Sequence, residues 1–210
     1  MDSRSAHTGI FAVTAVTALL ACSPSPAIPA SSAATSTRVI HVAPVDTNSD
    51  PVDGLIITRA VHGHCSPGSD SVPGPTYRCF FGNFIADPCW ADESDVGSVL
   101  CMTQPWTKTA IRVYVPTLEP TAEAVPKSLN YPWGVELTDG EKCLAQQGAH
   151  DQFDGRVVDY GCGGPDRHVL LRGMHRTHPL WSFDSATWTG RKYLPGKREQ
   201  VRIAWYGGPS

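Results

Sequence analysis

The 210-residue chain lacks any apolar run long enough to cross a bilayer as a helix. Its longest, Ile10 to Ala21, spans twelve residues and is diluted by Thr14 and Thr17, whereas a span needs about 18 or more. A basic surplus is also missing: 17 Lys and Arg stand against 20 Asp and Glu, a net charge of -3. That balance argues against a nucleic-acid partner. There is no Gly-x-Ser-x-Gly elbow, no phosphate loop and no Cys-x-x-Cys pair, so acyl-transfer, nucleotide and dithiol chemistry have no motif, no catalytic residue is assigned and no cofactor is expected. Gly161-Cys162-Gly163-Gly164 is glycine-rich but lacks the lysine and following helix of a phosphate cradle. None of Asn48, Asn83 and Asn130 begins an Asn-x-Ser/Thr sequon. Pro105-Trp106 and Pro132-Trp133 are similar dipeptides, too little for an internal repeat.

What is present begins with Arg4, the apolar run and Leu19-Leu20-Ala21-Cys22. A positive start, a short apolar region and small residues at a cut form an export signal, and the tetrapeptide resembles a bacterial lipobox. The resemblance implies cleavage before Cys22 and a diacylglyceryl group on its thiol. Two acyl chains hold a protein stably at a membrane, at about 0.8 kcal/mol per buried CH₂, where one holds it only marginally. The expected location is the extracytoplasmic face of the cell membrane, with plain secretion after a cut near Ala21 as the alternative. Residues 1–21 carry one basic side chain (Arg4) and one acidic one (Asp2), so the balance stays at -3 without them.

Three regions follow: a lipoprotein signal peptide over 1–21, a Ser/Pro/Ala-rich lipidated tether over 22–53 and a disulfide-bonded domain over 54–210. The composition from Cys22 to about Thr37 buries too little apolar surface to order itself. As a flexible chain it holds the domain about 20 to 25 Å from the bilayer. Within 38–53, Val39, Ile40 and Val42 suit a strand, whereas Asn48-Ser49-Asp50-Pro51 reads as a loop.

Cys65, Cys79, Cys89, Cys101, Cys143 and Cys162 are an even number in a chain expected to be exported, so disulfides are expected. Six cysteines admit 15 connectivities. Short loops bracketed by turn residues favour neighbours: Cys65 with Cys79, Cys89 with Cys101 and Cys143 with Cys162. Each bond would stabilise by about 3 kcal/mol through loop closure. A zinc site has little support, because no two cysteines are spaced as a close ligand pair.

The fold class expected is all-β: a small antiparallel domain, sandwich or barrel-like, with disulfides. With 19 glycines and 18 prolines, the composition suits short elements joined by turns rather than a helical bundle. Ile111, Val113 and Val115 alternate with Arg112 and Tyr114, and Val201, Ile203 and Trp205 alternate with Arg202 and Ala204. Asp139-Gly140 and Pro195-Gly196 lie between strand-like segments and Asp154-Gly155 precedes another, Arg156 to Tyr160, so the C-terminal half reads as an antiparallel meander.

Tyr77-Arg78-Cys79-Phe80, Asp87-Pro88-Cys89-Trp90, Pro105-Trp106 and Tyr131-Pro132-Trp133-Gly134-Val135-Glu136-Leu137 resemble a group of uncharacterised exported proteins and lipoproteins of actinobacteria. The likeness covers most of 60–206. It implies location and a disulfide-bearing domain, and it carries no catalytic signature.

Candidate chemistry is sparse. His62 and His64 flank Gly63, and His175 and His178 form a second close pair; if the two segments met, they would suit zinc or copper. Solvated loop histidines are the commoner outcome, and no metal is assigned. Asp87, Asp92, Glu93 and Asp95 are acidic without the ligand alternation and glycine of a calcium loop, so a solvated turn is expected. Carboxylate pairs also serve glycoside hydrolysis. Of six tryptophans, Trp181 in His178-Pro179-Leu180-Trp181 is expected in a turn-rich loop, exposed, and is the ligand-binding candidate, whereas Trp188 and Trp205 are expected inside. The expected function is a non-enzymatic binding or interaction module of the cell envelope, facing an envelope protein or cell-wall ligand. The alternative is an exported hydrolase or metal-dependent enzyme acting on envelope material.

Overall fold

Alternating apolar residues form strands where turn residues bracket them, and this chain does so throughout. The computed structural model describes residues 34–121, 131–163 and 167–208. The signal segment, Cys22 and the start of the tether lie outside the described residues. Those described form strands and no helix. The first seven are β1 (Arg38–Val42), β2 (Ile56–His62), β3 (His64–Pro67), β4 (Tyr77–Phe81), β5 (Phe84–Ala91), β6 (Ser98–Cys101) and β7 (Thr109–Tyr114). The second seven are β8 (Gly134–Leu137), β9 (Lys142–Ala145), β10 (Gln152–Phe153), β11 (Arg156–Cys162), β12 (His168–Leu171), β13 (Trp181–Trp188) and β14 (Tyr193–Gly207).

The first sheet runs β2-β7-β6-β5-β4-β3, antiparallel except for the parallel pair β2–β7. Its two ends are one piece of chain, because only Gly63 separates β2 from β3. Gly63 donates its N–H to the Tyr114 carbonyl at 3.0 Å. A Cβ there would lie 2.5 Å from the Phe80 carbonyl oxygen, so glycine is required at the bend. Inside pack Cys79, Phe81, Cys89, Val99, Cys101, Val113 and Val115, with Ile111 partly buried against them. The alternation expected over 111–115 therefore holds.

The second sheet closes into a six-stranded barrel. Its order is β14-β13-β12-β11-β9-β8, all antiparallel, and β14 pairs back onto β8. Val135, Leu137, Tyr160, Leu170, Phe183, Val201 and Ala204 form one buried cluster, and Val158, Val169, Leu171 and Ala186 form another. Register shifts at Val158/Tyr160, Asp184/Ala186 and Val201/Ile203 break strict alternation. Ala204, expected beside Arg202 on the outer face, is accordingly buried with Val201, because one extra residue in a bulge moves the rest of the strand to the other face.

The Asp139-Gly140 and Asp154-Gly155 turns are where they were expected. Asp154 and Gly155 have φ of 50° and 70°, the paired positive values of a type I′ hairpin. Pro195-Gly196 differs: it lies within β14, and the hairpin turn is at Thr189–Lys192, where the Thr189 N–H donates to the Lys192 carbonyl at 3.0 Å. Gly196 instead permits close approach, since a Cβ would lie 2.1 Å from Ser185 Oγ.

The tether boundary at 53 also moves. β1 adds to β14 in parallel, pairing Arg38 with Ile203 through Val42 with Gly207. Thr37 Oγ1 donates to the Val201 carbonyl at 2.6 Å and accepts the Trp181 N–H at 2.8 Å. Val45 packs with Val72, Trp90, Leu100, Met102, Ala110 and Trp133 in a core that joins residues of both sheets. Residues 38–53 thus belong to the domain, drawn in by β1 pairing and by Val45 burial.

All three disulfides join neighbours, Cys65–Cys79, Cys89–Cys101 and Cys143–Cys162. Each links directly opposed residues on adjacent antiparallel strands.

Candidate functional site

Gln104-Pro105-Trp106-Thr107-Lys108 turns tightly before β7. Thr107 donates its N–H and its hydroxyl to the Gln104 carbonyl at 3.4 and 3.2 Å, and Trp106 Nε1 donates to Gln104 Oε1 at 3.1 Å. The turn lies flat on β8 because residue 134 is glycine: a Cβ there would sit 2.7 Å from Pro105 Cγ and 3.1 Å from Trp106 Cζ3. Trp205, buried on β14, places its ring 5.4 Å from that of Trp106 at 58°.

These two tryptophans line a cleft of about 640 Å³ between the turn, β1 and the 43–55 loop. That volume suits a small-ligand site, typically about 300–1,000 Å³. Ile40, Val42, Val45, Leu55 and Met102 supply apolar walls, and Arg38, Lys108 and Lys142 supply positive charge. Lys142 Nζ stands 5.6 Å from the Trp106 ring centre, and Lys108 Nζ donates to the Asp53 carbonyl at 3.4 Å. Asp46 is the acidic side chain in the lining, and its Oδ1 already accepts the Asn48 and Asp50 N–H groups at 2.8 and 3.1 Å. Among the described residues, Arg38, Lys108 and Lys142 have no carboxylate partner, whereas Arg78, Arg112, Arg156, Arg172, Arg198 and Arg202 each have one.

Two polar constellations lie elsewhere. Arg172 forks onto Asp159, with contacts of 2.9 to 3.1 Å, in a cavity of about 400 Å³ that Asp70, Tyr131 and His150 also line. The hydrogen bonds to Asp159 raise the Arg172 guanidinium further above its ordinary value. His168 lies between two carboxylates, with Glu141 Oε2 2.5 Å from Nδ1 and Glu199 Oε1 3.6 Å from Nε2.

The histidine pairs stay separate. His62 packs at a tilt against Tyr114 and His64 stacks on Phe80 in the first sheet, whereas His175 is 3.4 Å from Asp184 beside the second. The donor groups that do gather within 4.8 Å among the described residues are Cys79, Cys89 and Cys101, and Glu141, Cys162 and His168. Every sulfur in both is held in a disulfide. Asp92 is not a solvated turn residue. It is buried, accepting from Arg112 Nη2 at 2.7 Å and from the Ser94 hydroxyl at 2.5 Å. Asp87 is buried too, and burial pushes its carboxyl up, although hydrogen bonds from Ser69 and the Asp70 N–H oppose that shift.

Trp181 is placed in a strand and not in the exposed loop expected. It begins β13 opposite Val201, half-buried, with the Arg176 guanidinium 4.5 Å above its ring. Pairing to β14 converts the expected loop into strand. Trp205 is buried as expected, and Trp188 is half-buried against Tyr193. Sequence reading passed over Arg38, Lys108 and Lys142. The one local signal was a Pro-Trp dipeptide in a turn with a lysine two residues on.

Comparison of the chain with family models, curated proteins and solved structures finds no match.

Proposed function

We propose that this chain is an exported, lipid-anchored binding module of the cell envelope, with its ligand received in the Trp106–Trp205 cleft. One observation carries the reading: an apolar cleft of ligand size with two tryptophans and three cations that lack carboxylate partners. The lining offers stacking surface and charge, which suit recognition. Three disulfides favour an oxidising compartment, in keeping with the export signal and Cys22. Because Arg38 follows the last tether residue that pairs, Thr37, the cleft lies where the anchored chain enters the domain.

Metabolic labelling with a clickable fatty acid tests the anchor. Wild-type chain is expected to take up label and remain with membranes, and Cys22→Ala to lose both. Equal label on the variant, or none on wild type, removes the anchor.

A second reading, an exported hydrolase or metal-dependent enzyme, has the Glu141–His168–Glu199 arrangement in its favour, since an imidazole between carboxylates suits proton transfer. Release of reducing ends from purified wall polymer, lost in His168→Gln, would put catalysis in place of binding.

A further inference from the structure

We infer that the cleft takes an acidic glycan, with a sugar ring laid against Trp106 and its anionic substituent held by Lys108, Lys142 and Arg38. The inference rests on the binding-module reading and adds the ligand class. Trp106 is half-buried, locked by Gln104 and by Gly134 beneath it, so its indole is a fixed apolar plate at low entropic cost. Fixed aromatic plates suit the apolar faces of pyranose rings. Around the plate stand three exposed cations that have no carboxylate partner among the described residues, in a chain whose net charge is -3. Among the described residues Arg78, Arg112, Arg156, Arg172, Arg198 and Arg202 are paired with carboxylates, whereas Arg59, Arg167, Arg176, Arg191 and Lys192 are not and lie outside the cleft. Three cations beside an aromatic, apolar cleft suit a ligand with both a ring and an anion. The overall negative charge disfavours a long polyanion such as nucleic acid. A cleft of about 640 Å³ matches a short oligosaccharide.

The test is a titration of the full chain, purified in detergent, followed by tryptophan fluorescence. The probes are a tetrasaccharide of alternating glucuronate and N-acetylglucosamine and a neutral N-acetylglucosamine tetramer of equal length. The acidic probe is expected to shift the emission and to weaken at least tenfold between roughly 0.05 and 0.5 M salt. Trp106→Ala is expected to weaken it about tenfold or more. Lys108→Gln/Lys142→Gln, at two exposed positions, keeps the test valid if the tryptophan variant unfolds. It should weaken the acidic probe about tenfold and leave the neutral one unchanged. If both probes bind equally and the lysine variant does not discriminate, the acidic-ligand inference falls while the cleft stands as a binding site. No shift with either probe overturns the cleft as a glycan site and leaves the anchor to the labelling experiment. If Cys22→Ala chain instead sediments with anionic-lipid vesicles in a Lys108- and Lys142-dependent manner, and neither sugar competes, the ligand is a lipid headgroup and the inference is overturned.

Discussion

At the scale of single residues, the cleft depends on what is missing at position 134. The Pro105 ring closes to within 2.7 Å of where a β-carbon would be, so Gly134→Ala must lift the turn or deform β8. Overpacking of this kind costs about 1–3 kcal/mol. Gly134→Ala is therefore expected to lower the Tm and to weaken ligand binding together, as read by calorimetry and fluorescence titration. Gly161 is the control within the same barrel: a Cβ there would meet Gln146 Nε2 at an ordinary 3.9 Å. Gly161→Ala should leave stability unchanged or slightly raised, since it removes conformational freedom from the unfolded chain. Equal losses for the two variants would show that the cleft turn is not held against β8 in solution.

At the scale of elements, each disulfide pins one antiparallel pair, and Cys143–Cys162 ties β9 to β11 inside the closed barrel. The double variant Cys143→Ala/Cys162→Ala should lose about 3 kcal/mol by urea unfolding, the loop-closure value for this separation. A loss near zero would mean that the strand ladder alone fixes the register. Strand pairs of this kind were legible in the sequence because their signals are local. Asp154-Gly155 announces its hairpin through positive φ, and cysteines a dozen or so residues apart announce their partners through loop length. Pro195-Gly196 carries the same local signal for a different reason, close approach to Ser185, and so reads falsely as a turn. Trp181 reads as loop from its proline neighbour, and only pairing with β14 makes it strand. The cleft was illegible for a related reason: Arg38, Trp106, Lys142 and Trp205 come from four distant segments, and only the closure of the barrel and the addition of β1 bring them together.

At the scale of the whole molecule, acid stability has an identifiable source. Burial pushes the Asp184 carboxyl up, but hydrogen bonds from Arg198, Arg156 and His175 outweigh it and hold the group at about 2. In the unfolded chain an aspartate titrates near about 3.9. A lowered native value contributes stability that is fully present above the unfolded value and is lost as pH falls toward the native one. The contribution of such a partly exposed cluster is on the order of 1 kcal/mol. Tm measured against pH should therefore fall between about pH 4 and 2 in wild type, and Asp184→Asn should lower Tm at neutral pH and flatten that limb. Asp87 works in the opposite sense, because burial raises it: its contribution is present in acid and fades as pH climbs through the raised value. An acid limb unchanged in Asp184→Asn would place the acid sensitivity elsewhere.

The bend at Gly63 matters beyond the first sheet's own packing. Because β2 and β3 are one stretch of backbone, the two margins of the first sheet are covalently joined and cannot drift apart, and the return of β14 to β8 closes the other ladder on itself.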